Sequence, residues 1–164
     1  MRKITMILFL LFYILVIPLC VLFHEIGHGI GVLSTSKSRA HVYLGLRSKE
    51  NRENFKIGKL HFHINWSYVG FVDWDVNLSN RQRVFALAGG PVMSLFLALS
   101  FGVFTFLLPH GDLRTFLFGI AIFNLIQFLA TIIPVTYPRW MGPYNGHPSD
   151  GLLLLRILKD RKVN

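Results

Sequence analysis

Hydrophobic residues in this chain fall into three long blocks, residues 4–33, 84–108 and 115–135, separated by stretches where polar and apolar positions mix. A helix crosses the hydrocarbon core of a bilayer in about 20 apolar residues, so each block is long enough to span. The first is longer than needed, and Pro18 inside it predicts a kink that frees its second half from the axis of the first. Polar character separates the second block from the third only at residues 110–114, which predicts a tight turn between antiparallel helices.

Residues 40–74 read differently. Segments 40–46, 56–66 and 68–74 are rich in β-branched and aromatic residues, and Lys59-Leu60-His61-Phe62-His63-Ile64 alternates with period two, as a half-exposed strand does. They predict a small antiparallel sheet beside the membrane, linked by the polar turn 48–54. His61 and His63 share a face of one strand and read as a pair facing solvent or headgroups. Near the C-terminus, Pro134, Pro138, Gly142, Pro143 and Pro148 mark a turn-rich stretch that leads to Ser149, which can cap a short helix with Asp150 in its first turn. About ten residues are too few to span, so that helix is expected to lie at the interface.

Composition sharpens this into a class. Of 164 residues, 52% are hydrophobic and 15% charged, far from a soluble average. The expected architecture is one membrane domain over residues 1–164, mainly α: three core transmembrane helices, a membrane-associated β-sheet between the first and second, and a short interfacial C-terminal helix. Met1-Arg2-Lys3 followed by apolar residues superficially resembles a signal peptide. The run is too long and lacks a small-residue cleavage site, so a retained span is expected.

The net charge of +9 does not indicate nucleic acid. Nine Lys and Arg lie in residues 35–83, five after Val135, and only Arg114 in the second loop. That distribution follows the positive-inside rule and places the long loop and C-terminus on the cytoplasmic side of a bacterial-type cell membrane. The single Cys20 excludes an intramolecular disulfide and any cysteine-based zinc site, and reads as a small apolar residue of the first span.

The candidate chemistry sits at the end of that span. His24-Glu25-Ile26-Gly27-His28 has the H-E-x-x-H spacing of zinc hydrolases. Four residues apart on a helix, the histidines lie roughly 40° apart around the axis and one turn apart along it, so both imidazoles can reach one ion. Glu25 projects about 100° away, where it can approach an activated water. With seven His in the chain, the pattern arises by chance in only about 0.5% of shuffled sequences. The plain alternative is a hydrogen-bonded triad inside a helical bundle. Ionisable groups at membrane depth are expensive, however, and metal ligation satisfies all of them at once.

A catalytic zinc takes three protein ligands and keeps one position open. Among the other acids, Asp112 falls in the loop on the wrong side, while Glu50 and Glu53 lie in a polar turn. Asp150 follows a Pro- and Gly-rich approach that can return it to the membrane. Its spacing equally suits a carboxylate stabilising a helix N-terminus.

The chain resembles the site-2 protease family of intramembrane zinc metalloproteases. The matching elements are His24-Glu25-Ile26-Gly27-His28, Ala88-Gly89-Gly90-Pro91 in the second span, Asn124-Leu125-Ile126 in the third, and Ser149-Asp150-Gly151 downstream. Tyr68-Val69-Gly70-Phe71-Val72 is similar to the segment that family places before its second core helix. The chain departs from the family in the long stretch between Asn124 and Asp150.

The resemblance implies that His24, His28 and Asp150 bind zinc and that Glu25 is the general base of a metalloendopeptidase. It implies that transmembrane or membrane-associated peptides are hydrolysed by a metal-activated water. A sheet edge between His61 and Val72 is expected to accept an extended substrate by strand addition, with Val69, Gly70 and Phe71 as candidate substrate-binding residues. Asn124 reads as an interhelical hydrogen-bonding residue. Two other classes fit parts of the pattern: a catalytically inactive relative that binds membrane peptides, and a metal transporter. A scaffold has no need of Glu25, and transporters carry several polar spans and repeats.

Overall fold

The computed structural model describes residues 2–160, so Arg161 and Lys162 of the basic tail lie outside the described residues. The molecule is mainly helical. Helix α1 (Arg2–Leu11), a π-helical turn (Phe12–Val16) and α2 (Ile17–Thr35) follow one another without a break. After the sheet come α3 (Asn80–Leu107), α4 (Asp112–Ile132) and, beyond a 3-10 turn (Arg139–Tyr144), α5 (Asp150–Asp160). Among the described residues, three helical stretches, Ile4–Thr35, Asn80–Leu107 and Asp112–Ile132, are long and apolar enough to cross a bilayer. Their outward faces carry exposed apolar side chains such as Phe9, Phe96 and Phe106.

Instead of the kink expected at Pro18, the helix runs on continuously, with a π turn immediately before the proline. Proline has no N–H to give the carbonyl four residues back, Ile14 O. The indole Nε1 of Trp66 donates to that oxygen at 2.9 Å. Trp66 therefore pins residues 65–69, a loop within the sheet region, to the π turn of the first helical stretch.

The sheet has four strands, β1 (Ala40–Leu44), β2 (Phe55–Ile57), β3 (Leu60–Ile64) and β4 (Gly70–Trp74), in the order β2-β3-β1-β4. It is mixed, which corrects the expected antiparallel sheet. Gly58, at φ +60°, turns residues 55–64 back into a hairpin. That reversal makes β3 run parallel to β1, while β4 pairs antiparallel on the other side of β1. Consequently β3, with His61 and His63, is an interior strand, and β4 alone forms the edge expected between His61 and Val72.

Ala40, Val42 and Leu44 of β1 are fully buried, and Val42 packs beside Gly29 of α2. A methyl group on Gly29 would meet Leu60 at 2.7 Å, so the sheet rests directly on the helix that carries the histidines. Helix α3 starts with a capping box in which Ser79 and Gln82 satisfy each other's backbone N–H groups. The Gln82 amide also donates to Thr35 O, tying the start of α3 to the end of α2.

Candidate metal centre

Small residues set the distance between α2 and α3. A Cβ on Gly27 would lie 2.4 Å from Gly89 O, one on Gly89 would lie 2.1 Å from Gly27 O, and one on Gly31 would lie 2.2 Å from Phe85 O. Backbones this close bring polar groups of α3 onto the histidines of α2, as small-residue seams do between membrane helices. His28 Nδ1 donates to Ala86 O at 2.8 Å, and His24 Nδ1 pairs with Ser94 Oγ at 2.8 Å. Gly90 N–H also approaches Nδ1, at 3.3 Å, but the shorter contact is to the Ala86 carbonyl, which only accepts. A proton on Nδ1 satisfies it and leaves the Nε2 lone pair free.

The third donor arrives from the far end of the chain. Residues 136–148 leave and return as a closed excursion: Thr136 bridges Pro148, Tyr137 N–H donates to His147 O, and Ser149 N–H donates to Val135 O. The length inserted between Asn124 and Asp150 therefore does not displace Asp150. Ser149 caps α5 by accepting from Leu152 N–H, and its hydroxyl donates to Ile133 O. Gly151 fits against the end of α4, where a Cβ would meet Ile132 O at 1.8 Å. The Asp-Gly pair thus has a steric reason.

His24 Nε2, His28 Nε2 and Asp150 Oδ2 form a near-equilateral triangle with sides of 3.2, 3.4 and 3.5 Å. Bonds of about 2.0–2.1 Å to a tetrahedral zinc place ligand atoms about 3.3–3.4 Å apart. The triangle matches that requirement. Its atoms are electron-pair donors, and the ring nitrogens opposite them are already anchored, the usual outer-shell pattern for histidine ligands. This group can hold a metal ion. When protons rather than an ion occupy the site, burial acts to raise the Asp150 pKa. The charge of a protonated His28 and hydrogen bonds from His24 and His28 outweigh burial and hold the carboxyl well below its usual range.

Glu25 is buried on the same helix, 7% exposed, and lines the same cavity as the three donors. The cavity, about 330 Å³, is walled on one side by β4 and on the other by α4 and the 136–148 excursion. Gly70 opens β4 where Glu25 needs room: a Cβ there would sit 2.6 Å from Glu25 Cγ. Of the candidate substrate-binding residues, Gly70 and Phe71 line the cavity. The carbonyl of Val69 is turned away and accepts from Gly45 N–H at 2.7 Å.

One occupant of this wall had no sequence signal. The Tyr144 hydroxyl accepts from Gly70 N–H at 2.8 Å and donates to Gly70 O at 3.3 Å, with its ring against Phe71. Burial, then the charge of Glu25, pushes the Tyr144 pKa far up, and burial pushes Tyr137 up to about 12. Both stay neutral hydroxyls. Ser94 was also missed, although a lone hydroxyl facing inward in an apolar block is a readable sign. Asn124 is fully buried and donates to Cys20 Sγ across the helix interface and to Ile120 O, as an interhelical residue does.

His61 and His63 are not a free solvent-facing pair. His61 is 7% exposed and bonded to Glu53, and His63 meets His41. Comparison with family models, curated proteins and solved structures finds no match for this chain.

Proposed function

We propose that this chain is an intramembrane zinc metalloprotease of the site-2 protease type, acting on transmembrane or membrane-associated peptides. The supporting observation is the donor triangle of His24, His28 and Asp150, at tetrahedral spacing, with a buried glutamate one residue along the helix. A second support is its setting within helices that can cross a bilayer. The charge distribution favours a cell membrane with the sheet and C-terminus on the cytoplasmic side.

Zinc held by the three donors supplies Lewis acidity, which acidifies water and polarises a carbonyl. Glu25 takes a proton from the attacking water as its oxygen bonds to the scissile carbon, then delivers that proton to the amine as the C–N bond breaks. Asp150, kept ionised, supplies the negative charge that favours a cation here. Ser94 and Ala86 O hold the imidazoles in orientation.

A helical substrate hides its amides in internal hydrogen bonds and must unwind, and bare amides are costly in lipid. The edge of β4 at Gly70 gives an extended segment backbone partners beside Glu25. Tyr144 holds those groups beforehand and has to yield them to a substrate.

Quantitative peptide analysis of membranes holding wild-type or Glu25→Gln protein tests the reading. The expected result is fragments of transmembrane peptides with wild type only, at equal zinc content. Cleavage retained by Glu25→Gln overturns the role of the base. Zinc flux into vesicles without cleavage points to the transporter class.

A further inference from the structure

The outward face of the sheet gathers a second set of histidines. Because β1 and β3 are parallel and in register, His41 lies beside His61, and Tyr43 beside His63. The His41 ring centre is 4.9 Å from that of His61 and 5.4 Å from that of His63, and Tyr43 stacks on His63. His41 Nδ1 and His63 Nε2 face each other at 3.2 Å.

The opposite nitrogen of each ring is engaged by an acceptor. His41 Nε2 donates to Asp75 Oδ1 at 2.9 Å, and His63 Nδ1 donates to Asn51 O at 3.1 Å. Carboxylates and carbonyls cannot donate, so these nitrogens carry the protons of the neutral rings. Two lone pairs are then left aimed at each other, an arrangement that calls for an electron-pair acceptor between them. His61 follows the same rule: Nδ1 donates to Glu53 Oε2 at 2.8 Å, which leaves its Nε2 unprotonated.

We infer that His41 and His63 form a second metal site, for a divalent transition ion of the zinc, nickel or copper type. Their nitrogen separation equals that between His24 and His28, 3.2 Å in each case. With metal–nitrogen bonds of about 2.0–2.1 Å, that separation subtends roughly 100° at the ion, close to tetrahedral. Imidazole pairs suit zinc, copper and nickel. A carboxylate behind one ring and a carbonyl behind the other is the support that ligating histidines receive. The His41 side chain is 22% exposed, so ion and water can reach it from outside. Around the pair, Asp73, Asp75 and Glu53 oppose Arg39, Arg47 and Lys56, and Asp75 is the carboxylate in direct contact.

The test is zinc titration of the full chain in detergent after chelator stripping, read as ions bound per chain. Wild type is expected to bind two, His63→Gln one and His28→Ala one, with the double variant binding none. Asp75→Asn should keep the second ion at an affinity about 10–100-fold weaker. The zinc retained by His63→Gln reports that its fold is intact, and His41→Gln provides a second variant of the same pair. If both variants bind as much zinc as wild type, the site does not exist. That outcome includes the case of a single proton shared between the rings. Loss of an ion in His63→Gln but not in His28→Ala keeps this site and removes the proposed catalytic one.

Discussion

Replacing Gly90 by Ala separates metal binding from folding. Gly90 lies in α3 facing His28, and a Cβ there would sit 2.2 Å from His28 Nε2 and 2.6 Å from both neighbouring ring carbons. Carbon contacts are comfortable at about 3.5–4.0 Å, so the ring has to retreat by more than about 1 Å. Metal sites tolerate roughly 0.2 Å. Retreat also gives up the bond to Ala86 O, worth about 0.5–1.5 kcal/mol. Opposing this, Ala is favoured over Gly within a helix by about 0.5–1 kcal/mol. The two terms nearly offset in stability but not at the metal, where a displaced ligand should cost at least about 100-fold in affinity. Competition against a chromophoric chelator measures that affinity, with circular dichroism reporting the fold. Gly102→Ala is the control, since nothing lies within 4 Å of its Cβ in the same helix. Wild-type zinc affinity in Gly90→Ala would refute the placement of His28 as a ligand.

Trp66→Phe removes the indole donor of Ile14 O beside Pro18, so it should lower stability by about 0.5–1.5 kcal/mol. Unfolding in mixed micelles checks this, and an unchanged midpoint would show that the carbonyl finds another partner. Tyr144→Phe frees both polar groups of Gly70. It should raise cleavage of extended peptides about 2–10-fold, the equivalent of one hydrogen bond no longer displaced. Lower cleavage would mean that Tyr144 assists the substrate instead. The raised Tyr137 and Tyr144 pKa values mean their neutral forms stabilise the fold at all pH below the ordinary tyrosine range. That contribution is lost only as pH climbs above about 10, so any decline in activity between neutral pH and pH 9 should persist in Tyr144→Phe.

Much of the helical frame was legible because hydropathy and length alone specify it, down to the long first helix and the proline within it. The pair His24 and His28 was legible because the helical period fixes their common face. Asp150 was harder: its approach depends on how residues 136–148 close on themselves through Thr136, Pro148 and Ser149, and no local pattern encodes that closure. The mixed sheet was hidden for a similar reason. Period-two alternation marks a strand but not its partner, and the single glycine that reverses the chain at residue 58 sets which strands run parallel. His41 went unnoticed because its significance exists only across the β1–β3 pairing. Ser94 and Tyr144 likewise act through contacts 70 or more residues away along the chain.

The most direct test is zinc K-edge absorption on purified protein loaded with one equivalent, with His63 replaced by Gln so that a single site fills. Two imidazole nitrogens and a carboxylate oxygen at about 2.0–2.2 Å are expected, and Asp150→Ala should remove the carboxylate and weaken binding. A zinc shell without two imidazoles, or one unchanged by Asp150→Ala, would contradict the site built from His24, His28 and Asp150.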